Sequence, residues 1–354
     1  MPKKSARKSH KVKKQRSKNK SWKKMKLGVK VRRGLKILLV SFFSIGFSMA
    51  VLSALTFFNL VRTPFATSYP QEATTILSSA RPFSLAYVVV EDINDGASEV
   101  TDLMFLTGNA ADQTISIYTV PTDLEMDLPE RYGISTLKKV YALGELVGES
   151  GGASLVTKTL EKLFAKRIDR YVVTDQAGVA KLEGNLSVTR IPALLLSVRE
   201  NVETNLTSSD MFFLAKFYYE TKDTNPKELI LKQTDIYDPS RVDTQISEDF
   251  LDLEVITERK RILILNGTGI PGLGGFAGRF ISNFGGSITD LDNASSTYDE
   301  SLIITTEPTS KTLSQLVYQL GITKILSPQE WAGNEKDIGA DITVVIGIDY
   351  SGRL

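Results

Sequence analysis

The chain has 354 residues, with 43 Lys and Arg against 41 Asp and Glu and a formal net charge of +2. It contains no cysteine and a single histidine, His10. These absences exclude disulfides, thiolate nucleophiles and Cys-based zinc sites throughout, and any histidine-dependent triad, Cys-His pair or H-E-x-x-H zinc site beyond His10.

The near-neutral balance averages two opposite parts. Seventeen of the basic residues lie within the first 36 positions, which hold no acid; the remainder has 26 against 41, about −15. Residues 1–36 are rich in Lys, Arg and Ser and poor in aliphatics, so they read as a disordered basic arm. The run Ile37–Val61 carries no charge over 25 residues. As a helix it would extend about 37 Å, enough to cross a hydrocarbon core of roughly 30 Å. By the positive-inside rule the arm stays in the cytoplasm and everything after the run is exported, a single-pass arrangement at the cell membrane. The run is far longer than the apolar region of a signal peptide, which favours an uncleaved anchor. An acidic exported portion has no electrostatic drive to hold nucleic acid, and would need a metal or a local basic pocket to hold phosphates. The arm itself suits anionic lipid, with a nucleic-acid tail as the alternative.

Residues 62–82 read as a spacer from the membrane. From Phe83 to about residue 221 short apolar runs alternate with helical stretches. SLAYVVVE (84–91), DLMFLT (102–107) and QTISIYTVP (113–121) predict strands, separated by turn signals at Asn94-Asp95-Gly96 and Gly108-Asn109. STLKKVYALGELVGESGG predicts a helix stopped by Gly151-Gly152, and ASLVTKTLEKLFAKR another. IDRYVVTD predicts a strand, and SSDMFFLAKFYYE a capped helix whose Phe213 and Phe217 face a core. Residues 222–258 lose periodicity and carry Asn225-Pro226 and Asp238-Pro239, so they read as a linker with one strand at Leu229–Leu231. A second unit, 259–354, follows in the order β-α-β-β-α-β, a small α/β sandwich.

Gly267-x-Gly269-x-x-Gly272 follows a strand and opens a helix, with Asp290 and Asp292 about twenty residues on, as in dinucleotide-binding folds. Against that reading, the unit is short for two mononucleotide-binding halves, and Pro271 removes one potential phosphate donor. The competing reading is a tight strand-to-helix turn.

RILILNGTGIPGLGGFAGRF, together with DITVVIGIDY at the end, resembles the C-terminal module of LytR–CpsA–Psr envelope proteins. The shared features are an N-G-T-G-x-x-G-L-A loop and an A-D-x-T-V-V-x-G-x-D-Y end. Residues 83–221 resemble a divergent LytR–CpsA–Psr domain, which implies an α/β fold with a mixed sheet. The resemblance also implies transfer of phosphate-linked glycopolymer from a polyprenyl-pyrophosphate carrier to the wall, using arginines for the diphosphate and aspartates for Mg2+ or Mn2+. The family's R-S-D-T is matched by Val100-Thr101-Asp102-Leu103, and S-I-P-R-D-T by Thr119 to Leu124, so Asp102 and Asp123 stand where Val100 and Thr122 replace arginines. K-I-N-x-A-Y resembles Thr136 to Tyr141, Y-x-V-V-x-D resembles Tyr171 to Asp175, and A-L-x-Y-x-R-x-R resembles Ala193 to Asn201, keeping Arg199. D-x-x-R-x-x-R-Q resembles Asp210 to Phe217, with Phe213 and Lys216 at the arginine positions. The resemblance thus nominates Asp102, Asp123 and Arg199 as catalytic residues, Asp102 and Asp123 as metal ligands, and Lys138, Lys139 and Lys216 as substrate contacts. With most arginines replaced, the expectation is an envelope protein that binds or helps assemble wall glycopolymer, peptidoglycan or a lipid-linked precursor. The alternatives are an active phosphotransferase and a membrane-tethered regulator with a nucleic-acid-binding arm.

Overall fold

The computed structural model describes residues 64–66, 77–147, 151–183, 201–331 and 339–353. The basic arm, the run Ile37–Val61 and Arg199 lie outside them. Among the described residues no helix is long and apolar enough to cross a membrane.

In chain order the first unit contains β1 (Pro64–Ala66), β2 (Phe83–Val90), β3 (Val100–Asn109), β4 (Thr114–Thr119), a β5–β6 hairpin (Glu125–Leu128 and Gly133–Thr136), α1 (Val140–Val147), α2 (Gly151–Phe164), β7 (Arg170–Thr174), α3 (Gln176–Glu183), β8 (Val202–Thr207), α4 (Ser208–Thr221) and β9 (Lys227–Ile230). Seven of these strands form one mixed sheet in the order β1-β8-β7-β2-β3-β4-β9. β2 pairs with β3 antiparallel and with β7 parallel. Strand alternation sorts the side chains. Ala86, Val88, Phe105, Tyr118 and Val173 face a core shared with Val140, Leu155 and Phe164, where Phe105 stacks on Phe164 with centroids 4.4 Å apart. Val172, Val202 and Leu206 face the other way and are covered by α4 through Phe213 and Phe217. α4 starts on a capping box between Thr207 and Asp210.

Three segments depart from the sequence expectation. Gly151 and Gly152 open α2 rather than stopping α1. A Cβ on Gly152 would sit 2.7 Å from the Tyr141 carbonyl oxygen, and one on Gly144 would sit 2.7 Å from the Gly152 Cα. The glycines therefore allow α1 and α2 to pack backbone against backbone. The spacer is drawn into the fold: β1 joins the sheet edge beside β8, and the backbone N–H of Leu77 donates to buried Asp210 at 2.8 Å. Residues 222–258 form β9, which closes the other sheet edge beside β4, and three helices, α5 (Gln233–Tyr237), α6 (Ser240–Phe250) and α7 (Leu253–Glu258). Val242, Ile246 and Phe250 of α6 repeat every fourth residue and are buried in the first core. Asp249 accepts hydrogen bonds from Thr107 (2.7 Å), Ser116 (2.9 Å) and Tyr118 (2.7 Å).

The second unit contains β10 (Arg261–Asn266), α8 (Leu273–Asn283), β11 (Ser287–Asn293), β12 (Leu302–Thr305), α9 (Lys311–Leu320), β13 (Ile325–Leu326) and β14 (Ile342–Ile346), with sheet order β11-β10-β14-β12-β13. The two-residue β13 is additional to the expected pattern. Ile262, Ile264 and Val344 face α8 and α9, while Leu263, Leu265 and Val345 face Tyr298 and Trp331.

The two sheets are joined by polar contacts at the end of α2. Arg279 of α8 donates to the carbonyls of Lys162 (3.3 Å) and Leu163 (3.0 Å), and Asn283 to those of Phe164 (3.2 Å) and Ala165 (3.3 Å). These are the carbonyls a helix leaves unpaired, so the second unit caps a helix of the first. Ala165, in the left-handed region at φ 43°, is buried in the second core.

Candidate functional site

The C-terminal end of β2 carries a bulge: Val89 pairs with Asp102 and Val90 with Val100, leaving Thr101 between them. The bulge turns Val100 into the apolar core, fully buried, and leaves Asp102 exposed on the sheet rim, where it accepts from the Thr101 hydroxyl at 3.2 Å. β4 ends beside this rim, because the N–H of Val120 donates to Leu103 at 2.9 Å. The following turn holds Asp123, also exposed, and the Thr122 carbonyl accepts from the N–H of Lys138 at 2.7 Å. Asp102, Asp123, Lys138 and Lys139 are thus brought to one end of the sheet. Lys138 is committed to an ion pair with Glu99, whose hydrogen bond raises the lysine pKa.

Lys216 is elsewhere. It is exposed on α4 and pairs with Glu220 at 3.6 Å. Its neighbour Phe217 packs on Phe83, which pairs with Gly108 at the opposite end of β2. Six strand residues, about 20 Å, separate that end from Asp102.

Among the described residues no group of three or more acidic or histidine side chains converges as a metal site. Asp102 and Asp123 supply two carboxylates, the number with which Mg2+ is held when substrate phosphates complete its shell. At this rim the described residues do not make a closed metal site.

One acid that sequence reasoning missed is Glu203 on β8, opposite Val173. Burial, with a smaller contribution from Glu145, pushes its pKa up to about 7. Its Oε1 is buried with no partner among the described residues. Its sequence surroundings, VETNLT, read only as a strand with one polar break, and nothing in them signals burial of the carboxyl.

In the second unit the motif residues hold the fold. Asn266 Oδ1 accepts from the Thr268 N–H (3.1 Å) and hydroxyl (2.7 Å), and its Nδ2 donates to the Ile270 carbonyl at 2.9 Å. Gly267 approaches so closely that a Cβ would lie 2.7 Å from the Tyr298 ring, and Gly272 opens α8 at φ 85°. The glycines make a strand-to-helix turn tied to its surroundings by the Gly267 N–H, which donates to the Ile346 carbonyl at 2.9 Å, and by the Gly267 carbonyl, which accepts from the Tyr298 N–H at 2.8 Å. Asp341 takes the Arg261 guanidinium at 3.2 and 3.0 Å and its N–H at 2.9 Å, which lowers the Asp341 pKa to about 2. Asp349 accepts from the Ser301 N–H and hydroxyl at 2.9 and 2.7 Å.

Comparison with known proteins bears on this unit most directly. Residues 259–350 match the family model LytR_C, described as LytR cell envelope-related transcriptional attenuator. No curated protein sequence matches the chain. Among solved structures the chain is similar to protein gbs0355 from Streptococcus agalactiae, at 14% identity over 45% of this chain and 81% of that one, with a TM-score of 0.37. It is similar to TagV from Bacillus subtilis at 15% identity, over 44% and 86%, with a TM-score of 0.37. It is similar to TagT bound to LIIa-WTA at 13% identity, over 48% and 84%, with a TM-score of 0.33. The glycine turn, the Arg261–Asp341 clasp and the Asp349–Ser301 staple all fall inside the segment that matches the LytR_C model.

Proposed function

We propose that this is a single-pass membrane protein with an exported LytR–CpsA–Psr-like domain that binds a wall glycopolymer or its lipid-linked precursor without transferring it. The observation that carries this reading is the rim. It keeps Asp102 and Asp123 exposed, yet Val100 is buried in the core and Lys138 is held by Glu99. Each missing guanidinium–phosphate contact removes roughly 1.5–3 kcal/mol of grip. Losing two or more from a transition state slows transfer by several orders of magnitude. The apolar run and the basic arm support the membrane location, and the TagT named above is bound to LIIa-WTA. The test is incubation of the full-length protein with a polyprenyl-pyrophosphate-linked glycopolymer and Mg2+. Retention of the donor without release of polyprenyl phosphate is expected, and turnover by the unmodified chain would end the non-catalytic reading.

A second reading, an active metal-dependent phosphotransferase, draws on Glu203, whose carboxyl can gain or lose a proton near neutral pH. It requires turnover that chelators stop and that Asp102→Ala abolishes.

A further inference from the structure

Helix α4 is apolar on both sides. Between Met211 and Tyr219 only Lys216 carries a charge. Phe213 and Phe217 turn inward, each edge-on to Phe83 with centroids 5.5 and 5.1 Å away, and Phe217 is buried in one cluster with Val172 and Leu206 of the sheet. That seat fixes which side looks out. Phe212, Lys216 and Tyr219, at spacing i, i+4 and i+7, share the outer face, and Tyr218 flanks them. Phe212 is 45% exposed, Tyr218 53% and Tyr219 68%. A helix apolar all round is ordinarily covered on every side. Here three aromatic rings on one surface face outside the fold. The charges beside them do not make an ionic site: Lys216 pairs with Glu220 at 3.6 Å, and Lys222 lies over the Tyr219 ring at 4.8 Å. Rings with lysines beside them suit the boundary between hydrocarbon and water, where the ring enters and the ammonium stays among the headgroups.

Connectivity points to what covers this face. The uncharged run ends at Val61 and β1 begins at Pro64, so only Arg62 and Thr63 stand between them. Three Cα steps reach at most about 11 Å. Pro64 pairs with Thr207, the N-cap residue of α4. Phe212 follows five residues later, roughly 8 Å along the helix axis. With the run in a bilayer, the outer face of α4 is tied to lipid by one of the shortest links in the chain. Such a link sets a high effective concentration, so weak interfacial affinity suffices to hold the face down. A second copy of the chain has no comparable tether.

We propose that the outer face of α4 docks on the surface of the bilayer that anchors the chain, with Phe212, Tyr218 and Tyr219 entering the headgroup region. The first sheet then lies over the membrane instead of swinging on its link. This rests on the single-pass reading given above. The absence of cysteine allows a single reporter on the full-length protein. Ala215→Cys places it between Phe212 and Tyr219, and Ala97→Cys places it in the exposed turn between β2 and β3, at the rim end. Each is labelled with bimane and reconstituted in phosphatidylcholine vesicles, with and without phosphatidylcholine bearing a nitroxide high on its acyl chain. The bimane at 215 should be quenched at least threefold more strongly than that at 97. Phe212→Ser with Tyr219→Ser should bring it down to the value at 97, as should Tyr218→Ser with Tyr219→Ser, with melting curves matching the parent. Replacing half the lipid by phosphatidylglycerol should leave the ratio unchanged, because the contact is made by rings. Equal quenching at the two positions, or quenching at 215 that survives both double substitutions, overturns the proposal. So does quenching at 215 only by a second, nitroxide-labelled copy, which would put another protomer on this face. Alkaline carbonate extraction of the same vesicles scores the anchor. Protein that stays in the pellet with equal quenching strikes the docking alone; protein that is released strikes the single-pass reading, and the docking with it.

Discussion

Arg279→Ala tests whether the two units are one mechanical body. The guanidinium sits at the centre of their junction, with Nε and Nη2 each 2.8 Å from an oxygen of Asp243 and further bonds to the Lys162 and Leu163 carbonyls. Both side chains of the ion pair are about one quarter exposed, so solvent compensates only partly for their loss. Truncation leaves Asp243 with one long contact to Asn283 at 3.5 Å, and removes the cap from two helix-end carbonyls. Hydrogen bonds to charged groups are worth about 1.5–3 kcal/mol each, and those in one network are not additive. The expected net loss is about 2–4 kcal/mol. Scanning calorimetry of the full-length protein should show the single melting transition lowered and split into two as the units uncouple. Asp243→Ala on the Arg279→Ala background should cost little more, because the partner is already gone. A melting profile within about 1 °C of the parent, still a single transition, would refute the reasoning, since about 1.5 °C is expected for each kcal/mol in a protein of this length.

Asp249→Ala removes the acceptor of three hydroxyls at once and should destabilise by about 3 kcal/mol in denaturant titration, against about 1 kcal/mol for Tyr118→Phe. Gly152→Ala forces a methyl against the Tyr141 carbonyl and should cost at least about 2 kcal/mol, or fail to accumulate as folded protein. Lys166 is buried between Phe250, at 4.2 Å, and Gln319, at 3.2 Å, and burial lowers its pKa from 10.5 to about 8. Between those values the unfolded chain holds the extra proton, so stability should rise as pH goes from 8 to 10.5, by up to about 3 kcal/mol. Lys166→Met should abolish that rise, as read from denaturation midpoints across the range.

The strands of the first sheet were legible because burial on both faces leaves near-continuous apolar runs such as Ala86–Val90. The second unit was legible because its turn and its final strand carry residues that each perform one local task. What could not be read depends on distant partners. The stretch 222–258 looks like a linker because its buried positions are scattered among charges, and its anchoring acid, Asp249, bonds to side chains more than 130 positions earlier. A glycine doublet signals a helix stop in isolation; only the approach of α1 reveals Gly151-Gly152 as a crossing point. At the rim, sequence placed Asp102, Asp123, Lys138 and Lys139 together in principle. It had no means of knowing that a bulge buries Val100, that Glu99 occupies Lys138, or that Lys216 lies at the far end of the sheet.

The junction changes what the C-terminal module is for. Without it the last turn of α2 would lose the donors to three carbonyls, Ala165 would lose both the donor to its carbonyl and the core that buries it, and Asp169 would lose the Tyr318 hydroxyl. Asp169 organises the entry to β2 and β7 through Ser84 and Arg81, so the module supports the central strands of the neighbouring sheet from one end. That dependence gives residues 259–350 a physical role that requires no chemistry at the rim: they hold the first sheet together from its far end.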